Sequence, residues 1–309
     1  MISVEKTKKL SPAVWGCNTS VLPQEKRKKR KTGDKKYIPF LLPSLAGICL
    51  FVAVPFADSL RRSVFGTFSG HFCGADNYKA VLDNAAFRLA VKNTALFTAV
   101  CLPLLIVLSL MTALILSRLK AVRAIRSVLL FPLAVPTAAM VLIWRLLFDD
   151  HGMINGMLDD AGIGTVHFLD SKAAFAVLAA SYIWKNLGYT VLLWLTGIMS
   201  ISDSLSEAAA VDGAGSFGTL IYIILPNLRP AAYTITIISF LNSFKVFREA
   251  YLVAGAYPHD SIYLLQHLFN NWFANMELDK IAAATVMVFA VISAAVSLLR
   301  RVWDKEASS

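Results

Sequence analysis

Six stretches of this 309-residue chain, at about 38–57, 94–117, 127–148, 173–199, 231–256 and 281–299, are apolar for long enough to cross a lipid bilayer. A helix rises about 1.5 Å per residue, so roughly 20 such residues cover a hydrocarbon core of about 30 Å. No water is present there to satisfy backbone groups, so each run has to close its hydrogen bonds internally as a helix. Composition agrees, since 57% of the residues are hydrophobic and only 16% charged, too apolar for an ordinary soluble domain. The chain is predicted to be an all-α integral membrane protein with six transmembrane helices.

The formal net charge of +10 gathers in one place. Lys26-Arg27-Lys28-Lys29-Arg30-Lys31, with Lys35 and Lys36, forms a basic run just ahead of the first span. Residues 1–37 lack hydrophobic periodicity and are predicted to be a disordered basic tail. Such a run is drawn to the anionic headgroups of the bilayer and sets topology; nucleic-acid binding is not indicated. Arg118, Lys120, Arg123 and Arg126 follow span two, Arg229 follows span four, and Arg300, Arg301 and Lys305 follow span six. Most basic residues then lie on one side, which predicts cytoplasmic N and C termini in a multi-pass protein. The four cysteines, Cys17 in the tail, Cys49 and Cys101 in spans and Cys73 in an outer loop, favour no disulfide.

Between spans, Tyr78, Val81, Leu82, Ala85, Ala86 and Leu89 recur at helical spacing and predict one small amphipathic helix. A short helix is predicted around residues 154–158 and another amphipathic one over residues 261–276. Pro132 and Pro136 lie within span three, and Arg145 near its outer end is placed to snorkel outward. His151 and His167 have no ligand spacing familiar from metal sites, so no metal is assigned. No nucleophile elbow, phosphate-binding loop or paired catalytic carboxylates occur, which argues against an enzyme and against ATP hydrolysis by this chain.

Polar groups at membrane depth are the exception that needs a reason. Tyr182, Asn186, Tyr189 and Leu193 fall on one face of span four; Ile238, Asn242, Lys245 and Glu249 fall on one face of span five. Lys245 and Glu249, four apart, are spaced to pair, and Lys185 and Arg248 lie nearby. These groups either join helices to one another or line a translocation path, with Tyr182, Asn186, Tyr189, Asn242 and Lys245 as the candidate lining.

A further polar interruption separates spans four and five. Ser204-Leu205-Ser206-Glu207 has the pattern of a capping box and predicts a helix from Leu205, stopped at Gly213 and Gly215. A second short helix is predicted from Ser216 to Ile224, ending before Pro226. Glu207-Ala208-Ala209, three residues, Gly213, nine residues, then Ile223-x-Leu225-Pro226 resembles the cytoplasmic signature of permease subunits of bacterial ATP-binding-cassette importers. Asp212-Gly213-Ala214, Leu228-Arg229-Pro230, Trp184-Lys185-x-Leu187-Gly188, Phe244-Lys245-Val246-Phe247 and Gly152-Met153-Ile154-Asn155 resemble the carbohydrate branch. The chain departs from that branch at Gly255-Ala256-Tyr257-Pro258 and at Asp279-Lys280-Ile281.

The resemblance implies a type I importer permease fold over residues 38–300, with a coupling loop at 200–230 and a short C-terminal tail at 301–309. It implies a non-catalytic subunit of the bacterial cytoplasmic membrane that moves a sugar or related solute by alternating access. Its implied partners are a second permease, two ATPase subunits that bind the ATP and Mg, and an extracytoplasmic solute-binding protein; no cofactor is implied in this chain. Glu207, Ala208, Ala209, Asp212, Gly213 and Pro226 are then the ATPase-coupling residues. The alternative readings are an ion-coupled secondary transporter using Lys185, Lys245 and Glu249, or a membrane-embedded receptor or scaffold without solute flux.

Overall fold

The computed structural model describes residues 38–67, 70–119 and 122–307. The basic tail and its predicted disorder lie outside these residues, as does Lys120. Two compact units are present, Met1–Val52 and Ala53–Ser309. The described residues are helical apart from turns and one isolated antiparallel bridge, Phe65–Phe72.

The first unit contains α1 (Ile38–Ile48). The second begins with α2 (Val54–Arg62), α3 (Asp76–Asp83) and α4 (Ala85–Ser117). The single amphipathic helix predicted over residues 78–89 is divided, because Asn84 is extended and caps α4 by accepting the Phe87 amide at 3.0 Å. The apolar residues on either side still share one destination. Val81 of α3 and Phe87 and Ala90 of α4 pack with Leu268 and Trp272 of α14 (Leu265–Ala274) and with Ala283 and Ala284 of α15 (Leu278–Ala307). The small side chains of α15 are what permit this close approach.

Span three is not one helix. It runs as α5 (Val122–Ala134) and α6 (Thr137–Phe148), and the segments Ser127–Ala134 and Thr137–Asp160 meet at 93°. Pro136 has no amide to donate and disfavours a helical conformation at Val135, so the ladder ends there and restarts at Thr137. Within α7 (Met153–Asp160), the buried Asn155 ties together the segments on either side by donating to the carbonyls of Asp149 and Val166 and accepting the Val166 amide.

The central helix is α8 (Ala174–Met199). It packs along α4 through Phe97, Cys101 and Leu105 against Leu178 and Tyr182, and lower down through Ala113 and Leu116 against Val191 and Leu195. Trp194 Nε1 donates to Ser109 Oγ across the same seam at 3.1 Å. On its other side α5 crosses so closely that a Cβ at Gly188 would lie 1.7 Å from the Leu129 carbonyl oxygen. Gly188 is therefore a steric requirement of the α5–α8 crossing.

The polar interruption forms α9 (Asp203–Val211), α10 (Ser216–Thr219) and α11 (Leu225–Asn227). The helix predicted to end before Pro226 continues through it. A π-turn at Leu220–Ile224 widens the ladder, with Leu225 N–H reaching back to Leu220 O, so the missing proline amide is absorbed. Span five follows as α12 (Arg229–Ser243), a 3-10 turn at Phe244–Val246 and α13 (Phe247–Ala254), closed by Gly255 at φ +78. The last helix, α15, runs on through the predicted tail to Ala307.

Among the described residues, three helical segments are long and apolar enough to cross a membrane: Phe40–Arg62, Ala85–Ser117 and Leu278–Arg301. The number rises to five if the bent pair around Pro136 and the pair Ser216–Asn227 with Arg229–Ala254, which meets at 65°, each count as one span. The remaining predicted run is α8, whose apolar stretch is diluted by Lys185 and Asn186.

Polar side chains of α4 receive the start of α14. Asn93 donates to the carbonyls of Asp260 and Tyr263, and Thr94 Oγ1 accepts the Leu265 amide. His267 is fully buried, and its Nδ1 accepts the Leu264 amide at 3.1 Å. Burial disfavours the imidazolium and pushes its pKa down to about 4.

Two outcomes follow for stability in detergent. Gly188→Ala should lower stability by about 3 kcal/mol through its clash with the α5 backbone, whereas Gly156→Ala, with nothing within 4 Å, should not; comparing the two melting temperatures checks this. The unfolded chain protonates His267 as pH falls through 6.5 while the folded chain resists until about 4. Its neutral form therefore adds full stability above pH 6.5 and loses about 3 kcal/mol of it by pH 4. His267→Asn, which keeps a cap acceptor, should show a smaller drop in melting temperature between pH 7 and pH 4.5.

Candidate functional site

The apolar helices enclose a polar patch where α8 meets the break in span five. Tyr182, Asn186 and Tyr189 from α8 and Asn242 and Lys245 from span five all border a cavity of about 230 Å³. The helical spacing that put each set on one face therefore does bring the two faces together. Their hydrogen bonds differ in kind. Tyr182 is buried, and its hydroxyl donates to the Ser239 carbonyl at 2.9 Å, tying α8 to α12. Asn186 Nδ2 donates to the Tyr182 carbonyl in its own helix at 2.7 Å. Lys245 Nζ donates to Asn242 Oδ1 at 3.0 Å, and Asn242 Nδ2 donates in turn to Tyr189 Oη at 2.9 Å.

Lys185 and Glu249 line the same cavity and form an ion pair with each other. The i, i+4 spacing pointed to Lys245 as the partner of Glu249. The 3-10 turn at Phe244–Val246 intervenes and changes the winding between them, so Lys245 turns to Asn242 while Glu249 meets the α8 lysine. Glu249 is only 6% exposed, so the cation beside it offsets a charge otherwise expensive to bury. Lys185 also donates to Thr137 Oγ1, in the first residue of α6, at 3.3 Å.

Arg145 is exposed near the end of α6 and also has a partner within the protein. Its Nη2 donates to the Val253 carbonyl at 2.6 Å, in the last turn of α13, where carbonyls lack helical partners and a cation is favoured. With Glu249 in the first turn, α13 is held electrostatically at both ends. Neither the Lys185–Glu249 nor the Arg145–α13 contact has a local sequence signal, because each joins elements far apart in the chain.

The second polar feature is α9 and its turn. The predicted capping box is not formed: α9 starts at Asp203 with Ser202 as N-cap, and Ser204 Oγ lies 2.7 Å from Ser202 Oγ instead. The Glu207 side chain is exposed and makes no hydrogen bond or ion pair with the rest of the described chain. Ala208 is exposed beside it, while Ala209 is buried. At the other end the Ala214 amide bonds to Ala209 O and the Gly213 amide to Ala210 O, the pairing of a Schellman motif. Gly213 has φ +79, and a Cβ there would meet nothing within 4 Å, so its requirement is conformational. Asp212 is the C-cap residue, and Pro226 lies beyond the π-turn in α11. The coupling candidates thus form a short, firmly terminated helix with an unpartnered acid on its surface. They are separate from the cavity but continuous in the chain with both of its walls, α8 and span five.

Residues 64–308 match the family described as binding-protein-dependent transport system inner membrane component. The trehalose/maltose transport system permease protein MalF of Thermococcus litoralis is 30% identical over 270 residues, covering 86% of this chain and 92% of that protein. The sn-glycerol-3-phosphate transport system permease protein UgpA of Yersinia pestis bv. Antiqua is 27% identical over 269 residues, covering 83% and 90%. A crystal structure of a bacterial ABC transporter involved in the import of the acidic polysaccharide alginate shares the fold, with a TM-score of 0.77 at 20% identity over 88% of this chain and 96% of that one. With most of its length matched in sequence and in fold, the chain belongs to the binding-protein-dependent transport system inner membrane components, as a permease of the sugar-importer branch of ATP-binding-cassette transporters.

Proposed function

We propose that this chain is one of two permease subunits of an ATP-driven importer that carries a sugar or related solute delivered by an extracytoplasmic binding protein. In this reading six spans cross the cytoplasmic membrane with both termini inside, and α9 docks on an ATPase subunit that binds and hydrolyses ATP with Mg. The observation that carries the reading is the position of α9. It begins a few residues after the end of α8 and leads through α10 and α11 into α12, and these two helices carry the polar cavity wall. A displacement of α9 by a closing ATPase would therefore act on the helices that face the solute, opening the cavity to one side and then the other.

Glu207 would supply the acidic contact and Ala208 the small surface that lets the docking groove approach. Tyr189, Asn186 and Asn242 would meet solute hydroxyls, while Tyr182 is occupied in holding α8 to α12. The relatives named above are called permeases for trehalose and maltose and for sn-glycerol 3-phosphate, so a hydroxylated carbon skeleton is common to their solutes. An ion-coupled secondary transporter is not favoured, because Lys185 and Glu249 are paired together in a helix-joining role and the chain belongs to a family named for its binding-protein dependence.

Glu207→Ala should reduce ATP-driven uptake by the reconstituted importer about tenfold or more. Its melting temperature should stay the same, because an exposed side chain without partners contributes within about 0.5 kcal/mol; retained uptake would remove the coupling role. Lys185→Met should destabilise the chain by roughly 3–5 kcal/mol by leaving Glu249 buried and unpaired. The double variant Lys185→Met, Glu249→Leu should recover much of that loss and keep ATP-driven uptake, an outcome an ion-coupled carrier would not give.

A further inference from the structure

The charges around the cavity do not balance. A second cavity of about 350 Å³ shares Lys245 with the first and is bordered also by Phe247, Arg248, Tyr251 and Gln266. Across both linings the acidic residue is Glu249, and Lys185 already occupies it. The other carboxylate oxygen of Glu249 is buried and offers nothing to the cavity. Lys245 and Arg248 are left without a carboxylate among the described residues, both exposed and one helical turn apart on span five. Unpaired cations are tolerated at such a place only when they face water or a ligand.

The hydrogen bonds say what kind of ligand. An ammonium group can only donate, so Asn242 must present Oδ1 to Lys245 and its amide nitrogen to Tyr189. The Tyr189 oxygen therefore accepts, and its own proton remains to be donated into the cavity. Lys245 keeps two further N–H groups, and Arg248 brings a guanidinium fork. Asn186 spends one amide N–H on the Tyr182 carbonyl and keeps Oδ1 as an acceptor for a solute hydroxyl. Donors, two of them cationic, thus outnumber the acceptors Asn186 Oδ1 and the Gln266 amide oxygen along the wall. A neutral sugar hydroxyl donates as well as accepts and would leave its proton unmatched against much of this wall. A carboxylate or phosphate, which only accepts at neutral pH, would satisfy it. Phe247 and Tyr251, with ring centroids 5.3 Å apart, stand beside Arg248 and provide an apolar face for the carbon skeleton.

We propose that the solute carried past this chain is anionic, a hydroxylated skeleton bearing a carboxylate or phosphate, with its oxyanion taken by Lys245 and Arg248 and its hydroxyls by Tyr189 and Asn186. This rests on the importer function proposed above and narrows its solute.

The test uses the complete importer with its binding protein, reconstituted in phosphatidylcholine vesicles that contain no anionic lipid. Three radiolabelled probes are offered: a uronic-acid disaccharide, sn-glycerol 3-phosphate and maltose. The expected result is ATP-driven uptake of at least one acidic probe, with the carboxylate and phosphate arms telling which. The variant Lys245→Gln, Arg248→Gln should lower that uptake about tenfold or more. The exchange Lys245→Arg, Arg248→Lys, which preserves charge, should keep it within about threefold; this separates lost recognition from a folding defect. Uptake of maltose alone, or acidic uptake unchanged in the glutamine variant, overturns the inference and leaves the importer function standing. Acidic uptake that appears only when anionic lipid is added also overturns it, by assigning the two cations to headgroups. Uptake of no probe under ATP would overturn the importer function, and this inference with it.

Discussion

The ion pair between Lys185 and Glu249 sits where the interrupted helices of this chain meet. Lys185 lies within α8, the helix around which the others pack. Its partner Glu249 opens α13 just after the 3-10 turn, and its second contact, Thr137, opens α6 just after the break at Pro136. In an apolar medium each interruption frees backbone groups and leaves polar side chains that need partners. One pair, with Glu249 buried and Lys185 partly so, serves both restarts, and Arg145 of α6 secures the far end of α13. Removing one member of such a pair would strand the other, so these helix ends and the cavity wall between them stand or fall together.

The wall and α9 are joined by chain continuity and by packing. Tyr182 bonds to the Ser239 carbonyl, and a Cβ at Gly197 would crowd Ala231 and Leu228, so α8 and α12 are in close contact near the end that leads into α9. A force on α9 therefore meets two helices that are already locked, which suits movement as a unit. The Schellman turn at Gly213 and the π-turn ahead of Pro226 give the intervening segment defined ends on both sides.

Much of this was legible in the sequence for a physical reason: apolar length, helical periodicity and turn chemistry are local. The apolar runs, the polar faces of α8 and span five, the glycine turn and the family signature can all be read from neighbouring residues. What was not legible depends on residues distant in sequence. Glu249 paired across helices with Lys185, because a 3-10 turn no pattern announced had displaced Lys245. Two prolines signalled a disturbance in span three, but the 93° bend needed the packing of α5 on α8 through Gly188 and of α6 on α13. Ser204 and Glu207 had the spacing of a cap, yet Ser202 began the helix earlier and left Glu207 unoccupied. That last difference matters for function, since a residue without a structural duty can be substituted to probe docking alone.

The central claim is that the polar cavity belongs to a path whose access is governed by the ATPase. It is tested most directly by a single cysteine, Asn242→Cys, in a chain whose four native cysteines are replaced, assembled in the full importer and probed with a membrane-impermeant maleimide. The account predicts labelling from one face of the membrane without nucleotide and from the opposite face when ATP is trapped in the ATPase subunits. Labelling that is the same in both nucleotide states would contradict it.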